Sequence, residues 1–248
     1  MSLPDQDQAR GRSRPAQDAG PPATTGWAPE LQKARIYDQI LLDIILGELP
    51  PGGRLDEQEL ALRYDAGLAG VRDALGRLAL EGLVVRRPRS GTNVAALDLV
   101  DVRQAFEARR LIEPHCAALA ATHATEAEIQ SLLTAFEGSE AAARAGDSRT
   151  LIGMDLRFHA LVAAATRNPT LARIVMPLEH QAARFWVYSM VEDTEAERLA
   201  EISRHLAVAD CIARRDPQDA HDAMVGILGV FSDNVRRTMA GGTGRRPS

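Results

Sequence analysis

The chain has 248 residues, a net charge of −5 at neutral pH and few aromatic residues. This length is enough for one or two domains with a full hydrophobic core, and alanine-rich stretches predict a mainly α-helical protein. The acidic balance argues against a uniformly basic nucleic-acid coat. Because the sequence has neither a run of about 18 apolar residues nor a signal-peptide pattern, we expect a cytoplasmic protein that does not enter a membrane.

Residues 1–28 are rich in Pro, Gly, Gln, Asp and Arg and have no apolar period, which predicts a disordered tail. The first helix is predicted between Gln32 and Leu46, where apolar residues recur at helical spacing: Ile36, Ile40, Leu41, Ile44 and Ile45. Gly47 ends this helix, and a Pro-Pro-Gly-Gly run at 50–53 turns the chain. We expect the helix to pack behind the elements that follow it.

The stretch from Leu55 to Val94 has the pattern of two short helices and a two-stranded ribbon. An apolar face begins around Leu60 and Tyr64, is interrupted at 65–67, and resumes at Val71, Ala74, Leu75 and Leu78. Beyond Gly82, strand-forming residues 83–85 and 92–94 flank a basic turn. This order of elements is that of a winged helix-turn-helix.

The segment LDEQELA…VRDALGRLALEGLVVRRPRSGTNV resembles the DNA-binding domain of the GntR family of bacterial transcription regulators, with the resemblance covering residues 36–95. Arginines outnumber acidic residues six to three between Arg63 and Asn93. We expect Arg72 to read a base, because its guanidinium matches guanine, and the wing arginines to contact phosphates. The DNA-binding residues implied by the resemblance are Gln58, Leu68, Arg72, Arg86, Arg87, Arg89 and Gly91.

The start of the recognition helix departs from the family pattern of Ser/Thr, Arg, Thr and Pro. Its four residues here are Gly67, Leu68, Ala69 and Gly70. Leu68 and Ala69 cannot donate hydrogen bonds to bases, although either can contact a thymine methyl group. Altered readout and lost specificity are both consistent with this sequence.

Beyond Ala95 no further strand is predicted, and the chain has the pattern of six amphipathic helices. Thr125 and Glu128 are spaced as a capping box that begins the second of them. The helices are placed near residues 98–122, 125–145, 147–166, 168–192, 194–215 and 217–240.

This helical region resembles the effector (FCD) domain of the FadR subfamily of GntR regulators. The resemblance covers residues 98 to about 238, and four motifs carry it: Arg110-Leu111-Ile112-Glu113, Asp155-Leu156-Arg157-Phe158-His159-Ala160-Leu161, Asn168-Pro169-Thr170-Leu171 and His205-Leu206-Ala207-Val208-Ala209-Asp210-Cys211-Ile212. The predicted organisation is therefore a disordered tail (1–28), a winged helix-turn-helix domain (29–95), an all-helical effector-binding and dimerisation domain (96–240) and a flexible tail (241–248).

Asp155 and His159 are four residues apart, so both point from one face of a helix and can share a divalent cation. The resemblance adds His205 as a third ligand, but Ile227 stands where many relatives have a further histidine. Three ligands can still hold Zn²⁺ or a similar ion with water in the open positions. A hydrogen-bonded polar cluster without metal is equally compatible with these residues.

In metal-containing relatives the cation and a helix-borne arginine together receive a small carboxylate, and the resemblance places Arg110 at that position. Because a guanidinium and a cation both favour an organic acid, we expect a small carboxylate effector. Arg184 and Tyr188, four apart, are candidates to line the same cavity, with packing roles as the alternative.

The leading prediction is a dimeric, ligand-responsive transcription regulator that binds an inverted-repeat DNA operator. A metal-dependent enzyme is the first alternative, since open coordination positions can activate water. No second carboxylate has the spacing of a general base, however, and a winged helix has no catalytic use, so we expect no enzymatic activity. The second alternative is a dimerisation protein that has lost DNA specificity.

Overall fold

The computed structural model describes residues 28–87, 91–189 and 194–241; the predicted tails lie outside these ranges except at their inner ends. Its strands are β1 (Arg54–Leu55), β2 (Val84–Arg87) and β3 (Gly91–Val94). Its helices are α1 (Ala28–Ile45), α2 (Glu57–Arg63), α3 (Leu68–Leu80), α4 (Leu99–His123), α5 (Glu126–Leu133), α6 (Ser139–Ala145), α7 (Ser148–Ala165), α8 (Pro169–Ser189), α9 (Glu195–Ala213) and α10 (Pro217–Gly241). The prediction of a mainly α fold is confirmed. Within the described ranges, no helix is long and apolar enough to span a bilayer.

The N-terminal elements form a winged helix-turn-helix, as predicted. Asp56 begins α2 by accepting hydrogen bonds from the amides of Gln58 and Glu59. The apolar face of α3 is buried at the four predicted positions and packs on α1, whose Ile40 and Ile45 are fully buried. This packing leaves the opposite face of α3 open to solvent.

The wing has three strands where the sequence predicted two. β3 pairs with β2 on one side and with β1 on the other, in the order β1-β3-β2, and both pairs are antiparallel. Arg54 and Leu55 join the sheet opposite Asn93 and Thr92. Two residues are too few for a period-2 signal, which is why β1 was not predicted. Gly91 begins β3 with φ of 84°, a backbone conformation that favours glycine.

The helical domain has seven helices in the described ranges, because the helix predicted for 125–145 is broken. α5 ends at Leu133, and Gly138, with φ of 81°, leads into α6. A left-handed residue cannot continue an α-helix, so the chain turns there. The Thr125–Glu128 capping box is confirmed at the start of α5. The core of this domain lies between α4, α7, α9 and α10 and includes the fully buried Phe158 and Ile212.

The two domains are joined through α8. His180 Nδ1 lies 2.7 Å from Glu81 Oε2, and Gln181 donates to the backbone oxygen of Glu81 at 3.0 Å. Glu81 is the C-terminal cap of α3 and also accepts a hydrogen bond from Tyr37 at 2.6 Å. The C-terminal end of α3 is therefore fixed to helix α8 of the helical domain.

A second joint connects α7 to α1. Asp43, 4% exposed, accepts hydrogen bonds from Arg149 at 2.6 Å and from Tyr64 at 2.7 Å. Beside it, Ile152 of α7 and Ala183 of α8 belong to the hydrophobic core of the winged helix. The two domains thus share a continuous packed contact.

Candidate effector site and DNA-binding surface

Six polar side chains from four helices meet inside the helical domain, and each is at most 6% exposed. All of them except Glu113 line a cavity of about 30 Å³, whose wall also includes Phe106 and Ile227. That volume holds about one water molecule. The six are Arg109 and Glu113 of α4, Asp155 and His159 of α7, Glu179 of α8 and His205 of α9.

Asp155, His159 and His205 bring their ligand atoms within 4.8 Å of one another. Asp155 Oδ1 lies 3.0 Å from Nε2 of His205 and 3.9 Å from Nε2 of His159. This places together the three residues that the sequence nominated as metal ligands.

The other nitrogen of each imidazole is held by an acceptor. His159 Nδ1 lies 2.9 Å from the carboxylate of Glu113, and His205 Nδ1 lies 2.8 Å from the backbone oxygen of Glu201. With Nδ1 donating, each ring turns Nε2 towards Asp155. Metal-binding histidines are oriented by this kind of carboxylate or carbonyl partner.

The donor set fits a divalent cation. His205 Nε2 is buried and makes no hydrogen bond of acceptable geometry with a described residue, although the Asp155 carboxylate lies beside it. A lone pair and a carboxylate oxygen that face each other in this way repel unless a proton or a cation lies between them. One carboxylate and two imidazoles are a usual ligand set for zinc.

The cluster is highly charged. Burial alone would lower the pKa of His159, but the carboxylates of Glu179 and Glu113 raise it to about 9. Burial would raise the pKa of Glu113, but Arg109 and His159 hold it down at about 2. Arg109, His159 and Glu113 therefore stabilise one another's charged forms. A bound cation would take over that role from the His159 proton, so that metal binding would release a proton.

The arginine that lines the cavity is Arg109, one position before the Arg110 that the sequence analysis placed there. Arg110 is exposed, whereas Arg109 is 5% exposed and its Nε lies 2.5 Å from Glu113 Oε1. Adjacent residues on a helix are rotated by about 100°, so a shift of one residue exchanges the inside for the outside. The signal that identifies Arg109 is its four-residue spacing from Glu113, a favourable ion-pair spacing on a helix.

The other two predicted effector residues do not help to define the cavity. Arg184 is buried, but it donates to the backbone oxygen of Ala95 at 2.6 Å and lies at the joint between the domains. The side chain of Tyr188 lies outside the described residues. Sequence reasoning missed Glu179, whose partner Arg109 is 70 positions away in the chain and is brought to it only by folding.

The recognition helix presents Arg72 to solvent, with 63% of its side chain exposed. Glu57 of α2 accepts from Arg72 Nε at 2.6 Å, and Arg86 of the wing donates to the backbone oxygen of Arg72 at 3.1 Å. Leu68, the first residue of α3, is 40% exposed. Helix and wing therefore lie side by side.

The other predicted DNA contacts that the structure describes have the exposure that such a role requires. Gln58, Arg87 and Gly91 are exposed. Arg89 belongs to the 88–90 segment and lies outside the described residues. Glu57, which the sequence analysis did not single out, is the acidic neighbour of Arg72 on this surface.

Comparisons with known proteins found family matches for both the N-terminal and the helical segments of the chain. A family model described as "Bacterial regulatory proteins, gntR family" matches residues 32–94, and one described as "FCD domain" matches residues 104–229. The HTH-type transcriptional regulator LutR of Bacillus subtilis (strain 168) is 28% identical over 221 residues, covering 77% of this chain and 98% of that protein. A probable D-xylose utilization operon transcriptional repressor of Paenarthrobacter nicotinovorans is 28% identical over 200 residues, covering 80% and 86%. Among solved structures, E. coli McbR/YncC shares the fold with a TM-score of 0.72 at 18% identity, covering 84% and 98%.

Replacing Arg109 by Met should destabilise the protein by about 3 to 5 kcal/mol, because it leaves the buried carboxylates of Glu113 and Glu179 without their cation. Arg110→Met is the matched control and should change stability by less than about 0.5 kcal/mol, as expected for an exposed side chain. Urea unfolding of both variants measures the difference. Equal losses would mean that Arg109 does not hold the cluster together.

Proposed function

Because the chain belongs to the GntR family of bacterial regulatory proteins and carries its FCD domain, we propose that it is a homodimer whose operator binding is controlled by a small organic acid at a metal centre. The chain is a DNA-binding transcription regulator, and its family and relatives are regulators and not enzymes. The proposed metal centre and effector control are supported by the buried cluster of Asp155, His159 and His205, with Nε2 of both rings turned towards one carboxylate.

DNA binding and effector binding belong to two segments that meet at the end of the wing. Residues 29–95 bind DNA, and residues 96–240 bind the effector and form the dimer. The packed joint at Glu81 and Asp43 supports this division, because it gives the effector domain a mechanical hold on the recognition helix.

In the metal centre, Asp155, His159 and His205 hold the cation. Glu113 and the backbone oxygen of Glu201 fix the orientation of the two rings. Ile227, 4% exposed at the cavity wall, supplies no ligand, so the site has three protein ligands. When bound, the cation supplies a positive charge with open positions for an anionic ligand.

Arg109 selects the class of effector. Its guanidinium lies at the same cavity as the metal ligands, and a guanidinium can pair with a carboxylate through two parallel hydrogen bonds. Two cationic groups that face one small cavity favour an anion and disfavour a neutral or cationic ligand. A small organic acid is the ligand class that both groups can bind together.

On DNA, Arg72 reads a base and the arginines of the wing contact phosphates. Glu57 accepts from Nε of Arg72, which leaves its terminal nitrogens for the major groove. One recognition helix reads too few bases for a useful specificity ratio, and this favours a dimer on an inverted repeat.

The DNA assignment is tested with an operator selected from random sequence by the full-length protein. Arg72→Ala should weaken binding to that operator by about 1 to 3 kcal/mol and barely change binding to random DNA. Arg87→Ala is the matched control, and its loss should be similar on both DNAs because a phosphate contact carries no base preference. Failure to select any sequence would favour the alternative of a dimerisation protein without DNA specificity.

The metal assignment is tested by melting the wild type and Ile227→His with Zn²⁺ and with EDTA. Zn²⁺ should raise the Tm of the wild type, and Ile227→His should increase that rise because a fourth ligand tightens binding. Ile227→Leu is the control for repacking of the cavity wall and should respond as the wild type does. A response confined to Ile227→His would mean that the natural protein has abandoned the site. Absence of a response in both proteins would reject the metal centre.

A further inference from the structure

We propose that Glu179 acts as a built-in carboxylate for Arg109, so that an acid effector enters the cavity by exchanging with the Glu179 side chain. This inference rests on the proposed function, because it concerns the regulation of the same effector site. It differs from simple filling of a vacant pocket: the protein's own carboxylate holds the binding group until a ligand displaces it.

The size of the cavity is the first observation. Its 30 Å³ accommodates about one water molecule, and its wall includes Arg109, Glu179 and both histidines. A carboxylate with even one attached carbon needs several times that space. A group that now occupies the cavity must therefore move before an acid can reach Arg109.

The partners of the two glutamates identify the group that moves. Glu113 uses one oxygen for Arg109 Nε at 2.5 Å and the other for His159 Nδ1 at 2.9 Å. Both oxygens are engaged, and displacing Glu113 would release the ring of a metal ligand. Glu179 forms its ion pair with Arg109 through Oε2 and, unlike Glu113, holds neither imidazole ring. Glu179 is thus the more easily displaced carboxylate.

The number of buried charges around Arg109 also favours displacement of Glu179. Three carboxylates, those of Glu113, Asp155 and Glu179, already lie around Arg109 and His159 in a buried site. Without a bound cation, a fourth carboxylate would add a buried charge that has no partner, which is strongly unfavourable. If the incoming acid replaces Glu179, the number of charges at Arg109 stays the same.

The position of Glu179 on α8 gives the exchange a consequence for DNA binding. The next two residues, His180 and Gln181, hold Glu81 at the C-terminal end of the recognition helix. Because Glu179, His180 and Gln181 are consecutive residues of one helix, Glu179 cannot move independently of the other two. Displacement of Glu179 from Arg109 therefore acts on the helix that positions α3.

Glu179→Ala removes the same atoms that acetate supplies, so acetate is the probe. In EDTA buffer, which prevents acetate from binding through a metal, Glu179→Ala should melt below the wild type. Tens of millimolar sodium acetate should raise its Tm by about 2 to 4 °C relative to sodium chloride at equal ionic strength. For the wild type and for Glu107→Ala, which lacks an exposed carboxylate of α4, the Tm in sodium acetate should equal the Tm in sodium chloride.

Two further variants locate the effect. In the double variant Arg109→Met/Glu179→Ala the acetate response should vanish. If Glu179→Ala does not fold, the isosteric Glu179→Gln takes its place, and it should bind acetate roughly tenfold more tightly than the wild type, the equivalent of one charge-assisted hydrogen bond.

Equal acetate responses in the wild type and the Glu179 variants, or a response that persists without Arg109, would overturn the inference. Because this assay contains no DNA, its failure is distinct from failure of the proposed function. Acetate rescue of Glu179→Ala together with operator binding that no organic acid alters would support the role of Glu179 and reject the proposed effector control.

Discussion

The burial of one guanidinium governs the design of the helical domain. Arg109 lies in the core at 5% exposure, and a charge in that position is tolerated only when carboxylates surround it. Glu113 comes from its own helix and Glu179 from α8, so the requirement to neutralise Arg109 draws α8 onto α4. The carboxylate of Glu113 also holds Nδ1 of His159, which turns the His159 ring towards Asp155. One candidate metal ligand, His159, is thus oriented by a carboxylate that also neutralises the arginine.

The helix α8 belongs to the cavity on one side and to the DNA-binding domain on the other. Glu179 contacts Arg109, while His180, Gln181 and Arg184 bind backbone or side-chain groups at Glu81 and Ala95. Arg149 and Ile152 of α7 make a second, independent joint to the winged helix.

Periodicity predicted what depends on local sequence. The buried faces of α1 and α3, the capping box at Thr125 and the shared helical face of Asp155 and His159 all follow from spacing within one helix. What failed depended on one-residue register or on contacts distant in the chain. The choice of Arg110 over Arg109 reversed inside and outside, and Glu179 had no local signal because its partner lies on another helix. Strand β1 was too short to be predicted, and the break at Gly138 needed a left-handed residue that the apolar pattern did not reveal.

In the proposed mechanism, a change in the buried cluster is transmitted to the recognition helix through α8. Hydrogen exchange of the full-length protein with and without Zn²⁺ tests it most directly, since it reports each backbone amide separately. The account predicts slower exchange in α7 and α9 around the ligands, together with a change in α8 near Glu179 and at the C-terminal end of α3 near Glu81. Protection confined to α7 and α9, with the end of α3 unchanged, would contradict it.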